Sequence, residues 1–192
     1  MQPILRLSLI GLLSLSFIFY VSVVSAQEKD EVIAQPPGGF SLHGHIYHKH
    51  LKDAVPPASG YVTDWEKLFS ASQVAHLDSL ISAFEAKTTI EIAVVTIDSA
   101  MASREDFDSV TLKIASDWGV GQKAKNNGLI IGVSNGLHIM RIQTGSGLTV
   151  QLPDTDTQQI VDTDFLPYYE KGEYYKGTLH GLQVLMQKLG GN

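Results

Sequence analysis

The stretch Trp118 to Gly147, WGVGQKAKNNGLIIGVSNGLHIMRIQTGSG, constrains the fold of this chain more than any other. Its apolar run, Leu129 to Val133, is bounded by turn residues and short enough for a buried strand. Ser134-Asn135-Gly136 follows, a strong hairpin signal because Asn and Gly tolerate positive φ at little cost. The returning strand is expected over Leu137 to Gln143. There Leu137, Ile139 and Arg141 alternate with His138, Met140 and Ile142, and both sets are partly apolar, so the inward face stays open.

A tight hairpin brings the end of its second strand beside the start of its first. Two loops, Gly119–Gly128 and Thr144–Asp154, therefore meet at one edge of the sheet. Both are rich in Gly and small polar residues, so their backbone N–H groups can approach an anion or ligand. Gly119, Gly121, Lys123, Asn127, Gly128, Gly145 and Gly147 are the candidate ligand-binding residues. The plainer alternative is that these glycines serve only to make tight turns.

The surrounding chain alternates strand and helix. Helical spacing from Ser70 or Ser72 places Val74, Leu77, Leu80 (or Ile81) and Phe84 on one face. Ile90 to Ile97, IEIAVVTI, is β-branched and nearly continuously apolar, as expected of a central strand covered on both faces. Ser103-Arg-Glu-Asp106 resembles a capping box that opens a second helix with Phe107, Val110 (or Thr111), Ile114 and Trp118. Strand, helix, strand over Ile90 to Val133 is a βαβ unit with parallel strands. A third helix is expected from Asp154 to about Phe165, ended by Pro167. A last helix follows Gly172, with Leu179, Leu182, Val184 (or Leu185), Met186 and Leu189 apolar. The fold class is α/β: a three-layer α/β/α sandwich with a mixed, mostly parallel sheet containing a β-hairpin.

Composition narrows the function. Of 192 residues 44% are apolar, enough for one domain core, and the net charge of −6 with no Lys/Arg cluster argues against nucleic acid. With no cysteine, disulfides, thiolate metal sites and a cysteine nucleophile are excluded. Residues 1–26 read as a secretory signal peptide: Arg6 precedes an apolar run from Leu7 to Val24, and Val24-Ser25-Ala26 offers a cleavage site. An uncleaved membrane anchor is the alternative, since that run is just long enough to span. Residues 27–60 read as a Pro/His-rich linker. Within it His43, His45, His48 and His50 either chelate a metal or belong to a solvated linker. Cleavage at Ala26 would put the remaining domain, 61–192, in the periplasm or outside the cell.

The ordered motifs resemble one family. Tyr61-Val-Thr-Asp64, Trp118-Gly-Val-Gly121-Gln-Lys123, Asn127-Gly128-Leu-Ile-Ile, Arg141-Ile-Gln-Thr-Gly145-Ser-Gly147-Leu, Leu152-Pro-Asp154, Pro167 and Gly172-Glu-Tyr-Tyr-Lys-Gly177 resemble the TPM-domain family, from about Tyr61 to Leu189. The resemblance implies an α/β sandwich in an extracytoplasmic protein. Some members are acid phosphatases, and some bind calcium or magnesium. Many bacterial members continue into a membrane helix and a Gly-rich tail, and ending after the domain implies a soluble form.

The departures from the family pattern bear on function. Gln143 stands where Glu is usual, Ser146 where an aromatic is usual, Thr149 where Glu is usual, and Asn126 where Asp is frequent. Calcium and magnesium sites depend on charged oxygen ligands, so these changes reduce the charge of any site. The candidate metal ligands are Asp64, Asn126, Asp154 and Asp156. Asp64 also reads as a cap or turn former, and Asp154 as the cap of the third helix. Arg141 is the candidate catalytic residue, its guanidinium well shaped to hold a phosphate. No established phosphatase signature is present, and the Gly-x-Gly precedes a strand, which dismisses a Rossmann loop. The expected function is an extracytoplasmic binding or assembly domain with an envelope protein partner, steadied by calcium or magnesium. The alternative is a metal-assisted acid phosphatase acting on phosphomonoesters.

Overall fold

The computed structural model describes Leu51 and residues 55–190. The expected signal peptide and the His43–His50 tract lie outside the described residues. No helix among the described residues is long and apolar enough to cross a membrane.

The strands are β1 (Val62–Asp64), β2 (Glu91–Thr96), β3 (Gly128–Ser134) and β4 (Ile139–Thr144), in spatial order β1-β2-β3-β4. β1 and β3 both run parallel to β2, while β4 pairs antiparallel with β3. Helix α1 (Ala71–Thr88) connects β1 to β2, and α2 (Phe107–Trp118) connects β2 to β3. After a short 3₁₀ turn come α3 (Asp154–Ile160), a π-helical turn (Val161–Phe165), α4 (Leu166–Tyr169) and α5 (Tyr174–Gly190). The α/β fold with a mixed, mostly parallel sheet is as the sequence predicts. β1 is an added edge strand, too short to show a period of its own.

Both sheet faces are covered. Ile92, Val94, Leu129, Ile131 and Val133 pack in one cluster with Leu77, Ile81, Phe165 and Leu182. Ala93, Val95, Ile97 and Ile130 pack on the other side with Phe107, Val110 and Ile114 of α2. β2 and β3 are therefore apolar at nearly every position, and each fully buried aliphatic side chain contributes about 2 kcal/mol. Gly132 lets α2 approach β3, since a Cβ there would lie 2.8 Å from Thr111. Leu51 and Val55, from the expected linker, pack in the α2-side cluster, and Trp118 Nε1 donates to Pro56 O at 2.7 Å.

Local signals set most helix ends. Ser70 caps α1 in a complete capping box: its Oγ accepts from Gln73 N, and Ser70 N donates to Gln73 Oε1 at 2.8 Å. Four expectations need correction. α2 starts at Phe107, not at the Ser103 box; Ser103 Oγ accepts from Asp106 N at 3.1 Å within a turn that precedes the helix. β4 starts at Ile139, because Asn135–His138 forms a wider loop closed by His138 at φ 49°. Asp154 does not cap α3; Pro153 holds the N-cap position and Asp154 is the first helical residue. Pro167 does not end the third helix, since helical structure continues to Tyr169. The π turn widens the backbone just before the proline, which then sits in the first turn of α4, where its missing N–H is not needed.

Asp156 ties α3 to α5 through Lys188 Nζ at 2.6 Å, and this hydrogen bond holds its carboxyl below the usual carboxylate range. A group with a depressed folded-state pKa stabilises above its unfolded pKa and loses that stabilisation as pH falls through the folded value. Asp156→Asn should therefore melt below the parent at pH 7, and the gap should close at a pH below the carboxylate range. Thermal melts across that pH range check this; a gap that persists in acid would contradict it.

Candidate functional site

The parallel strands begin at the end of the sheet where the two glycine loops meet. Glu91 is in register with Gly128, and Leu129 with Thr144. The loops pack backbone against backbone. A Cβ would lie 2.3 Å from Gly128 N at Gly121, 2.2 Å from Val120 O at Gly128, 2.1 Å from Asn126 O at Gly145, and 1.9 Å from Lys125 O at Gly147. Gly119 and Gly121 also have positive φ, 71° and 91°. Glycine at Gly121, Gly128, Gly145 and Gly147 lets the two loops pack more closely than any side chain would allow.

Their amides have internal acceptors. Gly119 N donates to Ser116 O at 3.1 Å, Gly121 N to Glu91 Oε2 at 2.8 Å, Gly145 N to Gly128 O at 2.8 Å, and Gly147 N to Asn126 O at 3.0 Å. Asn127 is 6% exposed and works as a latch. Its Oδ1 accepts from Gln122 N at 2.9 Å and its Nδ2 donates to Thr89 O at 2.5 Å. Lys123 is exposed at the loop tip.

The departures from the family pattern are knit together. Asn126 Nδ2 donates to Ser146 Oγ at 3.3 Å, and Thr149 Oγ1 donates to Ser146 O at 3.0 Å. Gln143 Nε2 donates to Asp108 O at 2.8 Å, a bond a glutamate could not make. Gln143 lines a recess of about 200 Å³ with Leu112, Ala115, Gly128 and Gly145. Its Oε1 is the one buried side-chain polar atom without a hydrogen-bond partner among the described residues.

The charged candidates are dispersed. Asp64 is in register with Thr96 at the opposite end of β2, which spans about 17 Å at ~3.3 Å per residue. Its Oδ1 accepts from Leu68 N at 3.0 Å and Thr96 Oγ1 at 2.6 Å, and its Oδ2 from Phe69 N at 2.8 Å. Asp156 is paired with Lys188. Arg141 and Asp154 both line one recess of about 160 Å³ beside β4 with Thr157 and Gln158, without touching each other. Arg141 Nε pairs with Asp108 at 2.6 Å and its Nη1 donates to Met140 O at 3.0 Å. No group of three or more His, Asp or Glu side chains is placed to hold a metal among the described residues. The donor set of Asp64, Asn126, Asp154 and Asp156 thus does not converge as a calcium or magnesium site requires.

The family model described as TPM domain matches residues 62–188. The chain belongs to the TPM-domain family. The N-terminal domain of a protein from P. gingivalis, solved by NMR, is 31% identical with a TM-score of 0.63, over 70% of this chain and 84% of that one. The NMR structure of the BA42 protein from Bizionia argentinensis is 17% identical with a TM-score of 0.56, over 66% of this chain and 84% of that one. The N-terminal domain of a Corynebacterium glutamicum protein is 18% identical with a TM-score of 0.50, over 72% and 82%. The latter two show the fold alone. No curated protein matches the chain.

Several TPM-domain residues that position these loops or the β3–β4 turn at the other end of the sheet carry no motif signal. Glu91, which accepts from Gly121 N, is visible only as an acidic residue opening an otherwise apolar strand. Glu66 accepts from Asn135 N and Gly136 N, each at 2.8 Å, and holds the β3–β4 turn against the loop after β1. Tyr174 Oη donates to Asn135 Oδ1 at 2.5 Å, pinning the same turn from α5. Pairings this distant in sequence leave no local pattern.

Proposed function

We propose that this TPM domain works in the cell envelope as a binding and assembly module rather than as a phosphatase. The observation that carries this reading is the neutral network at the loops. Asn126, Ser146 and Thr149, three positions that depart from the family pattern, hydrogen-bond in one chain, and Gln143 is held by a bond that requires its amide. Groups satisfied by one another have little reason to gather a divalent cation, which prefers charged oxygens. The recess beside α2 that Gln143 lines is the surface a binding partner would enter.

Metal-assisted hydrolysis of phosphomonoesters is the second reading, favoured by Arg141 and Asp154 lining one recess. In that reading the guanidinium would grip the phosphate and a divalent ion would polarise it.

The full chain should show no hydrolysis of a chromogenic phosphomonoester at acidic pH with calcium or magnesium added, and Arg141→Ala and Asp154→Asn should match the parent. Metal should leave its melting temperature unchanged. Restoring the family carboxylates with Asn126→Asp, Gln143→Glu and Thr149→Glu should create a calcium response, worth about 2.7 kcal/mol at a hundredfold excess over Kd. Metal-dependent turnover lost in both single variants would overturn the binding reading.

A further inference from the structure

A cavity of about 380 Å³ lies away from Gln143, beside the first half of β2. β1 pairs with β2 only from Val94 onward, so Glu91, Ile92 and Ala93, which pair with β3 on one side, have no β1 partner on the other and form one wall of a recess there. Tyr61, Glu85 of α1 and Trp118 at the end of α2 complete it. Its size falls within the range of small-ligand pockets.

The chemistry of this lining is distinctive. Glu85 and Glu91 both face the cavity, and neither forms an ion pair among the described residues. Each carboxylate is instead held by one neutral donor. Tyr61 Oη donates to Glu85 Oε2 at 2.6 Å, and Gly121 N donates to Glu91 Oε2 at 2.8 Å. One oxygen of each is thus fixed and the other is left without a protein partner. Trp118 is anchored as well: its Nε1 donates to Pro56 O at 2.7 Å, and its ring meets Trp65 edge-on at 5.9 Å. Two aromatic rings and two uncompensated carboxylates thus line one cavity, while Ile92, Ala93 and Val120 supply apolar surface.

A bare divalent cation is a poor match, since it needs about six oxygens around it and most of this lining is hydrocarbon. An anion would meet two negative charges. An organic ammonium satisfies every wall: its charge is stabilised by the carboxylates and by the electron-rich faces of Trp and Tyr, and its alkyl groups displace water from the apolar part. We propose that this cavity is a binding site for a small quaternary or alkyl ammonium group. The cavity shares only Val120 with the loop recess and offers different chemistry, so it stands whether or not the binding reading given above holds.

The test uses the full chain titrated with choline, followed by tryptophan fluorescence and amide shifts. The control is the neutral tert-butyl isostere, in which carbon replaces nitrogen. Choline should give a saturable response centred on Tyr61, Glu91 and Trp118, weakened by added salt, and the isostere should bind roughly tenfold more weakly. Glu85→Gln and Glu91→Gln keep an acceptor for Tyr61 and Gly121, so each should fold normally and still weaken choline binding several-fold. Magnesium should not compete. Equal binding of choline and its isostere would overturn the proposal, as would no saturable response in a chain whose melting temperature is normal. Undiminished choline binding by both glutamine variants would overturn it too.

Discussion

Substituting Gly181 by alanine is expected to lower the stability of the domain by about 3 kcal/mol, at the upper end of overpacking costs. Helix propensity alone predicts the opposite sign, since alanine in a helix interior is favoured over glycine by about 1 kcal/mol. Packing decides. A Cβ at Gly181 would lie 2.1 Å from Cε2 and 2.2 Å from Cζ of Phe165, far inside van der Waals contact. Phe165 is fully buried and edge-packed on Tyr169 at 6.0 Å, so its ring has no space to move into. The strain would fall on the contact between α5 and the π turn. Urea unfolding measures it directly, and the melting temperature should drop by roughly 10 °C. Phe165→Leu in the same chain should restore part of the loss, because the two substitutions relieve each other and are not additive. A Gly181→Ala chain more stable than the parent would show that the packing argument fails.

Gly128→Ala is the second large effect, also about 3 kcal/mol. Here the obstruction is backbone: the new Cβ would sit 2.2 Å from Val120 O and 2.6 Å from its carbonyl carbon. No rotamer change relieves such a contact, so the loops must part. Gly128 O also accepts from Gly145 N at 2.8 Å, so displacing it frees the second loop as well. Hydrogen exchange should show the amides of Gly121 and Gly145 losing protection while those of α1 keep it. This separates two roles for the glycines. Loops shaped for an approaching ligand would tolerate a methyl group with less than about 0.5 kcal/mol of destabilisation. Loops whose glycines exist to pack on each other would not.

Much of the architecture is legible in the residues. Ile90 to Ile97 is apolar on both parities, and β2 is indeed covered on both faces. Ser70 and Gln73 specify the start of α1 through bonds only a few residues long. The family pattern, spread over ordered motifs, matches the chain from residue 62 to 188. Errors fall where a local signal meets a constraint from elsewhere. Pro167 reads as a stop, yet the widened π turn before it lets the helix pass. Ser134-Asn135-Gly136 reads as a tight hairpin turn, yet Glu66 and Tyr174 hold a wider loop from distant parts of the chain.

For the candidate site the division is sharper. Sequence places Gly121, Gly128, Gly145 and Gly147 in two loops that a hairpin must bring together, and they do meet. It also points to Arg141 and Asp154, which share a recess. It could not show that Asp64 belongs to the far end of the sheet, where its carboxylate closes the turn after β1. Nor could it show that Asn126 and Ser146 satisfy each other. Glu85 and Glu91 belong to different elements and no shared motif, and only the pairing of β1 with the latter half of β2 opens a cavity between them. Strand and helix periods, caps and turns depend on neighbours in the chain, so the sequence by itself determined them. Which amides find acceptors, which carboxylates lack a cation, and which glycines face a backbone depend on residues brought together across the sheet, and only the tertiary structure decided those.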